Sequence, residues 1–221
     1  MATARLAGGK AGESDEPEAR RLVRTPGDCP GEQERRADAV DIGAGIVLVL
    51  GGARSGKSEV AERLAAAAGS SVTYIATGQV AEATSDADWA ARVAAHRSRR
   101  PSSWETVEVG PGGDLDGALA AAGDVALVDS LGTWLAGLDH FGTENDVVGP
   151  LLAASVGRRA CGRPTIFVSE EVGLGVHPSS AAGQQFRDAL GSLNRRLADG
   201  SDRVLLVVAG RVLALSEPER S

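Results

Sequence analysis

Eight consecutive residues, Gly51, Gly52, Ala53, Arg54, Ser55, Gly56, Lys57 and Ser58, satisfy the pattern G-x-x-x-x-G-K-[ST]. The glycines let backbone N–H groups turn inward onto phosphate oxygens, and a helix starting at the lysine adds the positive end of its dipole. In that chemistry Lys57 reaches the β- and γ-phosphates of a nucleoside triphosphate, while Ser58 offers its hydroxyl to Mg²⁺. The neighbours are the required ones: the apolar run IVLVL precedes the pattern, and SEVAERLAAAAG, with helical character, follows it. A chance glycine turn before a helix is the plainer alternative.

A phosphate cradle of this type works with a carboxylate at the end of a neighbouring strand, which organises Mg²⁺ and its waters. Asp129 closes DVALVDS and is the first candidate, with N-capping of a helix over LGTWLAGL as its plainer role. Glu108 closes WETVEV and either lines the same cleft or stands in solvent at a strand end. The segment DADWAARVAAHRSRRP is less common. It places Arg92, His96 and Arg99 or Arg100 three or four residues apart on one side of a helix that Pro101 stops, with Trp89 and Val93 forming an apolar stripe. A histidine on such a helix is usually just solvated. The arginines disfavour the imidazolium, leaving a neutral ring nitrogen able to attack phosphorus, and they suit bidentate binding of a triphosphate. His140 and His177 read as ordinary loop residues.

Such residues need a scaffold, and the chain supplies its pattern. The short β-branched or apolar runs IVLVLG, SVTYIAT, WETVEV, DVALVDS, PTIFVSE and RVLLVVAG alternate with Ala-rich stretches of helical period around 57–68, 86–99, 113–122, 144–160 and 180–198. Strands buried on both faces and alternating with helices predict an α/β fold, a mostly parallel central sheet with helices on both faces. A chain of 221 residues, 43% of them apolar, buries one such core but hardly two. Residues 1–45 differ: seven Lys/Arg, nine Asp/Glu and no aromatic residue predict a disordered N-terminal extension, leaving 46–221 as the single catalytic domain.

Composition also narrows the partners. Twenty-three basic against thirty acidic residues give a formal net charge of −7, without the broad basic surface that gathers nucleic acid. Two cysteines, Cys29 and Cys161, are too few for a disulfide framework and lack metal-ligand spacing, which fits a reduced, cytoplasmic compartment. No apolar run approaches the ~18 residues that span a bilayer, and the N-terminus has no continuous apolar core of a secretory signal.

LGGARSGKSEVAERLA, YIATGQ, RVAAHRSRRP, LVDSLGTWLAGL and VSEEVGLGVHP, followed by FRDALGSLNRRLA and VLLVVAG, resemble in their order the bifunctional adenosylcobinamide kinase and adenosylcobinamide-phosphate guanylyltransferase family of cobalamin biosynthesis. The resemblance covers about residues 46–215 and is far more specific than the glycine-rich loop alone. It implies a RecA-like P-loop domain that phosphorylates the aminopropanol hydroxyl of adenosylcobinamide. It implies further that GMP is transferred from GTP to that phosphate, giving adenosylcobinamide-GDP and pyrophosphate. The family's guanylylated histidine falls on His96. By the same matching Gly51 to Ser58, Thr77, Gly78, Gln79, Arg97, Ser98, Arg99, Arg100, Glu108 and Asp129 form the nucleotide site. GTP and ATP are the implied substrates, Mg²⁺ is held through Ser58 and Asp129, and a homo-oligomer, with a trimer as candidate, is the implied assembly.

The chain departs from the family pattern in places. Glu170-Glu171 stands where Asn-Glu is usual, Asp88-Trp89 where Glu-Met is usual, and Arg195 where Gln is frequent. Two other readings use the same loop: a simple P-loop small-molecule kinase, with His96 only a phosphate ligand, and a nucleotide-dependent binding or assembly ATPase.

Overall fold

The order of elements follows the alternation in the sequence. The computed structural model describes residues 42–78, 98 and 100–216. Within them run β1 (Ile46–Gly51), α1 (Lys57–Ala68), β2 (Val72–Ala76), β3 (Glu105–Glu108), α2 (Leu115–Ala121), β4 (Val125–Asp129) and α3 (Leu131–Leu135). A 3₁₀ turn (Asp139–Gly142), α4 (Val148–Ala160), β5 (Thr165–Glu170), α5 (Ala181–Gly200), β6 (Arg203–Val208) and β7 (Arg211–Leu215) complete them. The helix expected over 86–99 lies outside the described residues except for Ser98, which is helical and exposed.

One seven-stranded sheet has the order β3-β2-β4-β5-β1-β6-β7. All pairings are parallel except β6 with β7. This is the mostly parallel α/β architecture expected from the sequence, with β5 inserted between the P-loop strand and the strand that ends at Asp129. Parallel register brings the strand ends to one edge: Gly51 pairs with Glu170, and Ala76 pairs with both Asp129 and Glu108. Ligands of such sheets bind outside the C-terminal strand ends.

Interior strands are mostly apolar because both faces are covered. In β1, Ile46, Leu48 and Leu50 enter one core with α2 to α5, through Leu119, Leu131, Leu151, Leu190 and Leu197. Val47 and Val49 enter the other, where α1 contributes Val60, Ala61, Leu64 and Ala65. Each of the buried Leu, Ile and Val side chains contributes about 1.5–3 kcal/mol on burial. The second core thereby holds α1, and with it the phosphate loop, onto its face of the sheet.

A buried arginine holds the opposite edge. Arg158, in the last turn of α4, is 4% exposed and donates to the carbonyls of Leu119, Ala122, Gly123, Asp124 and Pro164 and to the Thr165 hydroxyl, at 2.7–3.3 Å. These acceptors are the end of α2 and the turns leading into β4 and β5. One side chain thus fixes the starts of the two strands that carry Asp129 and Glu170.

Strand β7 was not expected. Ala209 and Gly210, both with positive φ, make a two-residue turn that returns the chain as an antiparallel edge strand. The turn reaches the site, as the next section describes.

Candidate active site at the strand ends

The phosphate loop is tight where it leaves β1. A Cβ at Gly51 would lie 2.8 Å from the Val207 carbonyl oxygen and against the Ser55 side chain, so a larger residue displaces the loop. Gly56 sits at φ 92°, in the left-handed region, and serves as N-cap of α1. The loop then closes on itself: Ser55 N–H donates to the Gly52 carbonyl at 3.3 Å, Lys57 N–H to Ser55 Oγ at 3.3 Å and Val60 N–H to the Gly56 carbonyl at 3.0 Å. Two outside donors brace it, Glu171 N–H on the Gly51 carbonyl at 3.1 Å and Gly210 N–H on the Ser55 carbonyl at 2.8 Å.

Lys57 opens α1, its side chain only 13% exposed, with Nζ 3.5 Å from Oε1 of Glu170. Glu170 is itself held from three sides. Its Oε2 accepts the Gly132 N–H at 3.1 Å, and its carbonyl accepts Asn194 Nδ2 at 3.0 Å. Asn194 in turn accepts the buried Ser169 hydroxyl at 2.6 Å.

Two strands away, Asp129 ends β4, and Ser130 rather than Asp129 occupies the N-cap position of α3, without a side-chain cap hydrogen bond. The Tyr74 hydroxyl donates to Asp129 Oδ2 at 2.7 Å. Burial, with the Asp129 carboxylate beside it, pushes the Tyr74 phenol far above its ordinary range and keeps it a donor. The Arg100 guanidinium lies 3.4 Å from the centroid of the Tyr74 ring, a cation–π contact. Thr77 is fully buried below: its N–H donates to the Asp129 carbonyl at 3.3 Å, and its hydroxyl donates to the Ser130 carbonyl at 2.5 Å and lies 2.7 Å from that of Thr133. Gly78 follows, half-buried. Glu108, at the end of β3, lines a cavity of about 320 Å³ with Arg100, Pro101, Ser102, Trp104 and Thr106.

Of the residues singled out in the sequence, the loop from Gly51 to Ser58, Thr77, Gly78, Arg100, Glu108 and Asp129 thus gather at one edge. Gln79, His96, Arg97 and Arg99 lie outside the described residues. Sequence reasoning missed Tyr74, hidden within an apolar strand, and the partners of Glu170, which strand order alone brings to Lys57.

Among the described residues, no cluster of three or more His, Cys, Asp or Glu gathers to hold a metal ion. A nucleotide-borne Mg²⁺ asks for less, one or two hard oxygen donors beside phosphates and waters. The Ser58 hydroxyl at the head of α1 and the Asp129 carboxylate at the neighbouring strand edge are of that kind.

The cobinamide kinase / cobinamide phosphate guanyltransferase family matches residues 47–215. The bifunctional adenosylcobalamin biosynthesis protein CobP of Pseudomonas aeruginosa is 39% identical over 181 residues, covering 76% of this chain and 95% of the relative. The bifunctional adenosylcobalamin biosynthesis protein CobU of Salmonella typhimurium is 36% identical over 182 residues, covering 75% and 96%. Among solved structures, the flagellar accessory protein FlaH from Methanocaldococcus jannaschii aligns at 14% identity with a TM-score of 0.48, covering 82% of this chain and 80% of that one. With the family match running from the P-loop strand to the last edge strand, and relatives aligned over nearly their whole length, the chain belongs to the cobinamide kinase / cobinamide phosphate guanyltransferase family.

Proposed function

We propose that this enzyme carries out two successive reactions on one corrinoid. In the first, the aminopropanol hydroxyl of adenosylcobinamide takes the γ-phosphoryl group of ATP or GTP held on the loop Gly51 to Ser58. In the second, a ring nitrogen of His96 attacks the α-phosphorus of GTP, the bond to the β-phosphate breaks and pyrophosphate leaves. A phosphate oxygen of adenosylcobinamide phosphate then displaces histidine from that phosphorus, giving adenosylcobinamide-GDP and restoring the imidazole.

The observation that carries the kinase half is Lys57, at the head of α1, facing the row of strand ends that includes Glu170 and Asp129. Its ammonium offsets charge on the transferred phosphoryl group, and the loop amides hold the remaining phosphates in place. Ser58 and Asp129 would hold Mg²⁺, which supplies further charge neutralisation when bound with nucleotide. Arg97, Arg99 and Arg100 disfavour protonation of His96 and neutralise the departing pyrophosphate. Family membership and this arginine-flanked histidine favour the transfer half.

The test is product analysis by mass after incubation with adenosylcobinamide and ATP or GTP. The wild type gives first the phosphate and then the GDP derivative, whereas Lys57→Ala loses orders of magnitude in phosphorylation. Its melting temperature stays near that of the wild type, because the part-exposed pair with Glu170 contributes little to stability. A Lys57→Ala variant with the wild-type rate would remove the loop from the reaction. Product that stops at the monophosphate would favour a simple kinase, and nucleotide hydrolysis indifferent to corrinoid would favour an ATPase.

A further inference from the structure

We infer that the loop after β5 is where the macrocycle of the corrinoid substrate docks, through Leu174 and Val176, an assignment that rests on the two-reaction reading above. These are the two most exposed large apolar side chains among the described residues, at 82% and 96%. A lone apolar residue in solvent is ordinary, but two on one loop beside a binding site mark a surface that a ligand covers.

The loop is tied to the phosphate site at its start and to α5 at its end. Glu171 N–H donates to the Gly51 carbonyl at 3.1 Å, Glu171 Oε1 accepts the Gly173 N–H at 2.7 Å, and Val172 packs against the core. At the other end the Pro178 carbonyl accepts Gln184 Nε2 at 3.2 Å, and Pro178 sits so close on α5 that a Cβ at Gly183 would lie 2.9 Å from its ring. Between these anchors Gly173, Leu174, Gly175 and Val176 are all exposed. Chain length sets their reach: the Cα atoms of Leu174 and Val176 lie no more than about 11 and 18 Å from that of Glu171.

The ligand follows from that position and from the loop's chemistry. The aminopropanol hydroxyl has to meet the γ-phosphorus on the loop Gly51 to Ser58, and the arm that carries it is short, so the macrocycle comes to rest at the rim of the phosphate site. Its edge bears methyl groups and neutral amides. Leu174 and Val176 offer apolar area to the methyl groups and the ring face. No Asp, Glu, Lys or Arg stands between Val172 and Phe186, so no ion on this stretch loses its water when the ring settles. Around Gly175 the space is open, with only the Val172 carbonyl oxygen near a Cβ built there, at 3.8 Å, which leaves the backbone approachable by amide groups.

The experiment uses the full chain with Leu174→Asn and Val176→Thr together, polar replacements of similar volume, beside Leu174→Met with Val176→Ile, which keep the surface apolar. Adenosylcobinamide binding is followed by equilibrium dialysis through the corrinoid's own absorbance, and phosphorylation by kcat and KM. Binding of a fluorescent nucleotide analogue, melting temperature and mass by light scattering are read alongside. The polar pair raises Kd and KM for adenosylcobinamide on the order of 10- to 100-fold, while kcat at saturation and nucleotide affinity change less than about threefold. Its melting temperature stays within about 2 °C of the wild type, because neither side chain is buried. The Met and Ile pair keeps corrinoid affinity within about threefold. Two outcomes would overturn the assignment and leave the reading of function intact: a polar pair with wild-type Kd and KM for the corrinoid, or one whose mass in solution falls, which makes the loop an interface between copies of the chain. A wild-type protein that binds the nucleotide analogue but takes up no adenosylcobinamide would overturn the reading of function and the assignment together.

Discussion

Tyr74 joins two parts of the site through one ring: its hydroxyl fixes the orientation of Asp129, and its face carries Arg100. Through Arg100, the strand edge is tied to the chain that follows the His96 segment. Tyr74→Phe removes the hydrogen bond and keeps the platform, so it should cost about 1–2 kcal/mol of stability at neutral pH. The pH dependence has a definite sign. The phenol titrates higher in the folded protein than its ordinary value of 10.0. Its contribution is therefore complete below about pH 10 and is lost as pH rises beyond it, because the unfolded chain ionises first, at about 1.4 kcal/mol per pH unit. Urea unfolding of both proteins from about pH 8 to 11 should show the wild-type advantage shrinking only above about pH 10; a constant difference would contradict it. At this scale the loop residues were legible, because consecutive positions of a local pattern carry their own geometry. Tyr74 and the Lys57–Glu170 pair were not. Their partners lie on other strands, and spacing along the chain says nothing about which strands become neighbours.

At the scale of elements, Arg158 is the clearest case of position deciding role. Burial disfavours its charged form, yet it donates to five carbonyls and a hydroxyl and so remains fully engaged. Arg158→Leu leaves those carbonyls without a donor in a buried place and should cost about 3–5 kcal/mol, read as a fall in the midpoint of chemical unfolding. Arg158→Lys should recover little, since a single ammonium cannot replace the planar fork. A Leu variant within about 1 kcal/mol of the wild type would show that the bonds merely replace water. The strands themselves were readable as β-branched apolar runs, since burial on both faces leaves no polar alternation to confuse them. Strand β7 was not, because RVLAL is exposed throughout and follows β6 after only two residues. The signal was Ala209-Gly210, a turn pair whose positive φ values suit a hairpin. That hairpin matters to the site because Gly210 braces Ser55.

For the whole molecule, the folded core reaches back to Ile42, which is 7% exposed among Val47, Leu205 and their neighbours. Gly45 N–H closes a turn on the Ile42 carbonyl at 2.9 Å, and Asp202 accepts the Ile46 N–H at 2.7 Å. A chain begun at Ala39 should melt within about 2 °C of full length and keep its turnover, since the charge-rich, aromatic-free composition ahead of it offers little to bury. A chain begun at Ile46 loses Ile42 and its turn and should melt about 4–8 °C lower, from a loss of about 2 kcal/mol. Equal melting of the two, or a large activity loss in the longer one, would contradict this. The fold class was legible because one alternation of apolar runs and helical stretches pervades residues 46–215. Where the His96 segment docks was not, since a sequence motif gives a segment's chemistry but not its docking. The central claim, covalent capture of GMP on that histidine, has a direct measurement. Full-length protein is incubated with GTP labelled at the α-phosphate and weighed intact. The account predicts a gain of one GMP, lost in acid and kept in alkali as a P–N bond requires, passed on when adenosylcobinamide phosphate is added, and absent in His96→Ala. Formation of adenosylcobinamide-GDP with no such adduct, or by His96→Ala, would contradict it.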